Sequence, residues 1–136
     1  MERSWLVLAG LAHFGLAAVG SQVPRVFRLR ESLAALGPAP RRLIWTWGAF
    51  ILLANLGFGA LSVAYADEMA AGRGLAGGLA LFLGLYWAAR LAVQVAAFRT
   101  PDWPRDGGAV AKHGLGLLFL ALSVVYFAAF AAGRGR

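Results

Sequence analysis

Four long apolar runs dominate the sequence and leave few folds open to it: Trp5–Val23, Leu43–Ala66, Leu75–Phe98 and His113–Ala132. Each is near the ~20 residues that an α-helix needs to cross a hydrocarbon core ~30 Å thick. Inside lipid no water satisfies backbone N–H and C=O groups, so a spanning segment must be helical or belong to a closed barrel. None of the runs alternates apolar and polar residues as a barrel strand does. The expected fold is all-α, an integral membrane four-helix bundle. Composition agrees, with 60% hydrophobic and 14% charged residues and a mean hydropathy of +0.68. Soluble domains carry roughly 45–50% apolar and about 25% charged residues. The runs occupy most of residues 1–136 and leave room for a single membrane domain.

The first run has the outline of a secretory signal: Arg3, an apolar stretch, then Ala18-Val19-Gly20 before Ser21. Arg25, Arg28 and Arg30 follow directly. Basic residues there resist translocation, so the run is expected to stay as a span. The same rule orients the chain. Arg25, Arg28, Arg30, Arg41 and Arg42 lie in the first loop, and Arg99, Arg105 and Lys112 in the third. The opposite side carries Arg3, Arg73, Arg134 and Arg136. This bias predicts a multi-pass protein of the plasma (inner) membrane, with loops 1 and 3 cytoplasmic and both termini outside.

Loop 1 carries its own helical pattern. Pro24 suits a first helical turn, Gly37 a helix end, and Pro38 blocks continuation. Between them Val26, Leu29, Leu33 and Leu36 share a face, with Arg25, Arg28 and Glu31 largely off it. This predicts a short amphipathic helix at the interface between spans 1 and 2. The loop 1 arginines, Arg25, Arg28, Arg30, Arg41 and Arg42, are candidate contacts for anionic lipid or a partner. Trp45, Trp47 and Trp103 fit an interfacial aromatic belt on that side.

Polar residues inside the spans demand partners. His13 shares a face with Ala9, Gly10, Ala17 and Gly20, and Asn55 with Gly48, Gly59 and Ser62. Tyr86, Arg90 and Gln94 recur every four residues and line one face of the third span; His113, Gly116, Leu120 and Ser123 do so in the fourth. Such small or polar stripes are expected to form the interior seam. Helical rise sets His13 roughly 15 Å, Asn55 roughly 18 Å and Arg90 roughly 12 Å from the cytoplasmic ends of their helices. The three are therefore expected to meet in one polar cluster. Arg90 is the strongest signal, because an arginine at mid-helix costs about 2.5–3.5 kcal/mol on insertion scales. No carboxylate lies within a span to neutralise it. Snorkelling toward the cytoplasm with a hydrogen bond to Tyr86 is one resolution, and an anionic or polar ligand another.

Several chemistries are excluded or weak. The chain has no cysteine, which removes disulfides, thiolate catalysis and Cys-based metal sites. Walker, HExxH and GxSxG motifs are missing, and no catalytic residue or metal site is expected. Asp102, Asp106 and His113 sit in a Gly- and Pro-rich loop that reads as a solvated turn. Paired-histidine haem is disfavoured, because His13 and His113 differ in depth by roughly 15 Å by helical rise. The charge balance of 13 Lys+Arg against 6 Asp+Glu points to lipid headgroups rather than nucleic acid, since the arginines flank apolar segments.

The expectation that follows is a non-enzymatic accessory or structural subunit of a membrane assembly, partnered by the lipid bilayer and by other membrane subunits or copies of itself. A ligand-handling protein is the alternative, with His13, Asn55, Tyr86, Arg90 and Gln94 lining a pocket for a quinone, lipid, haem or anion. A small oligomeric transporter or channel is a third possibility.

Overall fold

The computed structural model describes residues 2–103 and 105–134; Arg136, used above in the charge count, lies outside them. Four long helices run through the molecule: α1 (Arg3–Gly20), α4 (Pro38–Ala64), α6 (Gly74–Ala97) and α7 (Gly108–Ala132). All four, the first taken together with the residues that follow it through Val26, are long and apolar enough to cross a membrane. Their outer faces carry large bare side chains such as Phe50 (64% exposed) and Val95 (74% exposed). In water those faces would cost about 25 cal/mol for each Å² of apolar surface, whereas hydrocarbon imposes no such penalty. The protein is an all-α, multi-pass membrane protein, and no strand occurs among the described residues.

The connections differ from the sequence expectation in instructive ways. Loop 1 is helical, but in two four-residue pieces, α2 (Val23–Val26) and α3 (Leu29–Ser32), rather than one continuous helix. The break is at Arg28, the only non-glycine residue with positive φ among those described (φ 48°, ψ 42°). A left-handed conformation costs an L-residue roughly 1–2 kcal/mol. Consequently the expected apolar face does not hold together: Leu33 is buried, while Val26 and Leu36 are exposed. Gly37 and Pro38 do not merely end the connector. Gly37 is the N-cap of α4 and Pro38 its first residue, so α4 starts five positions before the apolar run at Leu43. Proline suits that site because its fixed φ is pre-set for a helix and its missing N–H would be unbonded anyway. The sequence pattern also missed α5 (Ala66–Ala71), a short helix that turns inward after α4 and buries Ala66 and Met69.

Helices α1 and α4 form one antiparallel pair and α6 and α7 the other; α5 touches all four. Two close approaches explain the pairing. The backbones of Gly10 and Gly59 face each other, so a Cβ on either would meet the other's carbonyl oxygen at 2.9 Å. Gly84 lies against the Phe127 ring, and its carbonyl accepts a 3.1 Å hydrogen bond from Ser123 Oγ. Small residues let membrane helices approach closely, where dispersion contacts and interhelical hydrogen bonds replace the missing hydrophobic drive.

Burial is uneven along the bundle. The core includes Leu6, Ala9 and His13 of α1, Gly59 and Ser62 of α4, Met69 of α5, Gly77 to Trp87 of α6 and Phe119 to Ala129 of α7. Most of the buried residues lie in the half that α5 closes, with Ala17, Asn55 and Gln94 among those beyond it. At that end the backbone of Gly72 (φ 65°) packs directly on Gly133 and on the Ala129 carbonyl. Toward loops 1 and 3 the two pairs separate around a cavity.

Candidate functional site

The sealed half is stitched by polar contacts between the pairs. Trp87 Nε1–H donates to His13 Nε2 at 3.0 Å, and His13 Nδ1 lies 2.7 Å from the Ala9 carbonyl oxygen. An indole N–H can only donate, so Nε2 must be the acceptor and Nδ1 must carry the proton. His13 is therefore a neutral imidazole with one defined tautomer, 0% exposed. Phe58, Trp87 and Tyr126 meet its ring edge-on. The Ser62 and Tyr126 hydroxyls share a 2.6 Å hydrogen bond that joins α4 to α7. Neither ring nitrogen of His13 is left for an iron, and His113 is exposed near the start of α7.

This arrangement corrects the expected polar cluster. His13 bonds Trp87, not Asn55 or Arg90. Helix α6 turns Gly77, Ala80, Leu83, Gly84, Trp87 and Gln94 inward, leaving Tyr86 and Arg90 half-buried at the edge of that face. On α7 the inner face runs through Phe119, Leu122, Ser123, Tyr126 and Ala129; of the predicted stripe only Ser123 is buried. A helix that is apolar all round offers little asymmetry to choose between faces, and large aromatic residues gain more by packing than glycines do.

Asn55 and Arg90 do share a space. A cavity of about 550 Å³ lies between the helix pairs, lined by Leu16 to Gly20 of α1, Ile44 to Asn55 of α4, Tyr86 to Arg90 of α6 and Leu115 to Phe119 of α7. Its walls are mostly apolar. Small residues make the room: a Cβ added at Gly48 would meet nothing within 4 Å. The guanidinium of Arg90 reaches along α6 toward loop 3, with Nη1 3.5 Å from Gln94 Oε1 and its plane near the Phe119 and Phe98 rings (5.1 and 5.7 Å). Its hydrogen-bond partner is Gln94, in the place anticipated for Tyr86. Gln94 is itself 2% exposed and donates to the Lys112 carbonyl at 3.5 Å. Among the described residues the ion pairs are Arg3–Asp67 and Arg28–Glu31, so no carboxylate neutralises Arg90. Asn55 Nδ2 donates to the Ile51 carbonyl at 2.9 Å, whereas its buried Oδ1 has no protein partner.

At the loop 1 end this cavity adjoins a second, polar one of about 580 Å³, lined among others by Arg25, Arg28, Arg30 and Glu31. Ser21, Pro24 and Trp45 line both. Arg41 and Arg42 stand apart in the opening turns of α4, where Arg41 donates to the Leu36 carbonyl at 3.2 Å. Trp103, expected in an aromatic belt, packs edge-on against Phe27 at 5.8 Å and so links loop 3 to loop 1. Among the described residues no three His, Asp or Glu side chains converge as a metal site. Asp102 instead accepts the Arg99 backbone N–H at 2.8 Å, as a turn residue does.

Comparison with models of known families, with characterised proteins and with solved structures gave no match for this chain.

Proposed function

We propose that the protein binds a single amphiphile within the membrane, holding a hydrogen-bond-accepting or anionic group at Arg90 and its hydrocarbon in the cavity between the helix pairs. The observation that carries this reading is an arginine without a carboxylate partner on the wall of an apolar cavity. A guanidinium in such surroundings gains a great deal from an acceptor, because little water competes there. The cavity volume falls within the 300–1,000 Å³ typical of small-molecule sites. Haem is not carried forward as the ligand, since both nitrogens of His13 are engaged.

Mass spectrometry of the gently extracted protein tests the reading. The wild type is expected to carry one stoichiometric amphiphile, lost in Arg90→Ala and in Gly48→Leu. The first variant removes the donor; the second fills the cavity. Gly48→Leu should also hold or raise the melting temperature, because glycine inside a helix costs about 0.8–1.0 kcal/mol relative to alanine, and leucine is a good helix former. An occupant retained by both variants, or an empty wild type, refutes the assignment.

A second reading, a non-enzymatic subunit of a larger membrane assembly or homo-oligomer, is favoured by glycines on the outer faces. Gly15, Gly78 and Gly114 are exposed, and a Cβ at any of them would meet nothing. Such positions suit a neighbouring helix. The same mass spectra decide between the readings, since co-purifying subunits around an empty chain favour the assembly.

The arginine bias supports placing loops 1 and 3 in the cytoplasm, at a plasma or inner membrane. A reporter fused to the C-terminus is expected to be extracytoplasmic; cytoplasmic activity would invert the topology.

A further inference from the structure

We infer that the ligand is a phosphate-bearing anionic lipid whose headgroup sits in the basic cavity formed by loop 1, with its hydrocarbon running past Trp45 into the cavity beside Arg90. This rests on the proposed amphiphile site and adds the class of ligand. Two cavities of opposite character, one mostly apolar and one charged, share Ser21, Pro24 and Trp45 as common walls. A molecule filling both must be apolar at one end and charged at the other. The sign of that charge follows from the lining: Arg25, Arg28 and Arg30 against a single carboxylate, Glu31. Glu31 is spent on Arg28 at 2.7 Å, and among the described residues Arg25 and Arg30 make no ion pair. Arginine's planar fork of donors suits phosphate oxygens, which favours a phosphate over a simple carboxylate for a cradle with several arginines.

The backbone supports the same assignment. The left-handed Arg28 interrupts what would otherwise be one helix and brings arginines from both sides of the break to one cavity. Strained residues persist where the surroundings hold them in place, often at ligand sites. Trp45 stands where headgroup and hydrocarbon would meet, a position suited to an indole with one apolar and one polar side. Arg90, deeper in, would then face the ester carbonyls, which accept hydrogen bonds without carrying charge.

Native mass spectrometry of the full-length, delipidated protein in an uncharged detergent tests this with four probes: dioleoyl phosphatidylglycerol, dioleoyl phosphatidylcholine, oleate and glycerol 3-phosphate. Phosphatidylglycerol is expected to bind one-to-one, at least about tenfold tighter than phosphatidylcholine with the same chains. In Arg25→Gln/Arg30→Gln that preference should vanish while oleate, whose carboxylate can still reach Arg90, continues to bind. Both side chains are exposed, so the double variant should fold normally. Equal binding of the two phospholipids, or a preference that survives the double variant, overturns the headgroup assignment. So does glycerol 3-phosphate binding as tightly as the lipid, which would mark a site for soluble phosphate. Oleate bound without any phospholipid preference would sink this inference alone, leaving the amphiphile site standing. If neither oleate nor any phospholipid binds the wild type, the cavity reading itself fails.

Discussion

Gly72→Val is expected to prevent the bundle from closing, yielding protein that aggregates on extraction or unfolds without a sharp transition. Two independent faults combine at this position. A β-branched residue would have to adopt φ 65°, and its Cβ would collide with the Ala129 carbonyl and the backbone of Gly133. None of those groups is the flexible tip of a side chain, so relief requires moving α7 away from α5. A loss of about 4 kcal/mol or more is the expected scale for such a combined fault. Gly74 provides the control. It too has positive φ, at 58°, but nothing lies within 4 Å of an added Cβ. Gly74→Ala should therefore lose only the left-handed strain, about 1–2 kcal/mol, and melt a few degrees lower. Thermal unfolding of both variants in mild detergent is the check. Equal melting would show that conformation alone, not the close approach, makes glycine necessary at position 72.

The second large effect is expected at the His13–Trp87 hydrogen bond. Trp87→Phe leaves the buried Nε2 of His13 without a donor, and His13→Leu leaves the indole N–H without an acceptor. An orphaned buried polar group costs about 1–3 kcal/mol. Hydrogen bonds between membrane helices average less, about 0.6 kcal/mol, because the unfolded helices find other partners. Here the upper range applies, since His13 is enclosed by aromatic rings in the sealed half. The discriminating variant is His13→Leu/Trp87→Phe. Removing both partners leaves no orphan, so the double variant should melt above the less stable single one. Additive losses would mean that packing alone matters at this contact.

The two predictions divide along what could be read from the sequence. Span number and position were legible because lipid imposes length and hydropathy directly, and α6 matches its apolar run within one residue at each end. The inner face of α1 was also legible: Ala9, Gly10, His13 and Ala17 are buried, and Gly20 is partly so. Trp87 was not foreseen as the partner of His13, since its neighbours Tyr86 and Arg90 drew attention to an adjacent face. The spacing between Trp87 and Gln94, two turns apart, was the available signal for the true inner face. Helix α5 escaped because it is only six residues long and its role depends on contacts with all four spans. The cavity could not be foreseen at all. It arises from the angle between two helix pairs, and no local pattern encodes an angle.

Fixing the two pairs at one end and parting them at the other makes the bundle a lever with its fulcrum near α5. About 25 Å of helix separates Ser62, in the sealed half, from Trp45 beside the cavity. A rocking of about 5° between the pairs would leave the contacts at the fulcrum almost undisturbed, yet shift the Trp45 level by about 2 Å. For the proposed amphiphile, entry and release would then draw on the direction of motion that the packing opposes least. Membrane thickness and lateral pressure, acting on the long arm, would be felt first in the width of the gap.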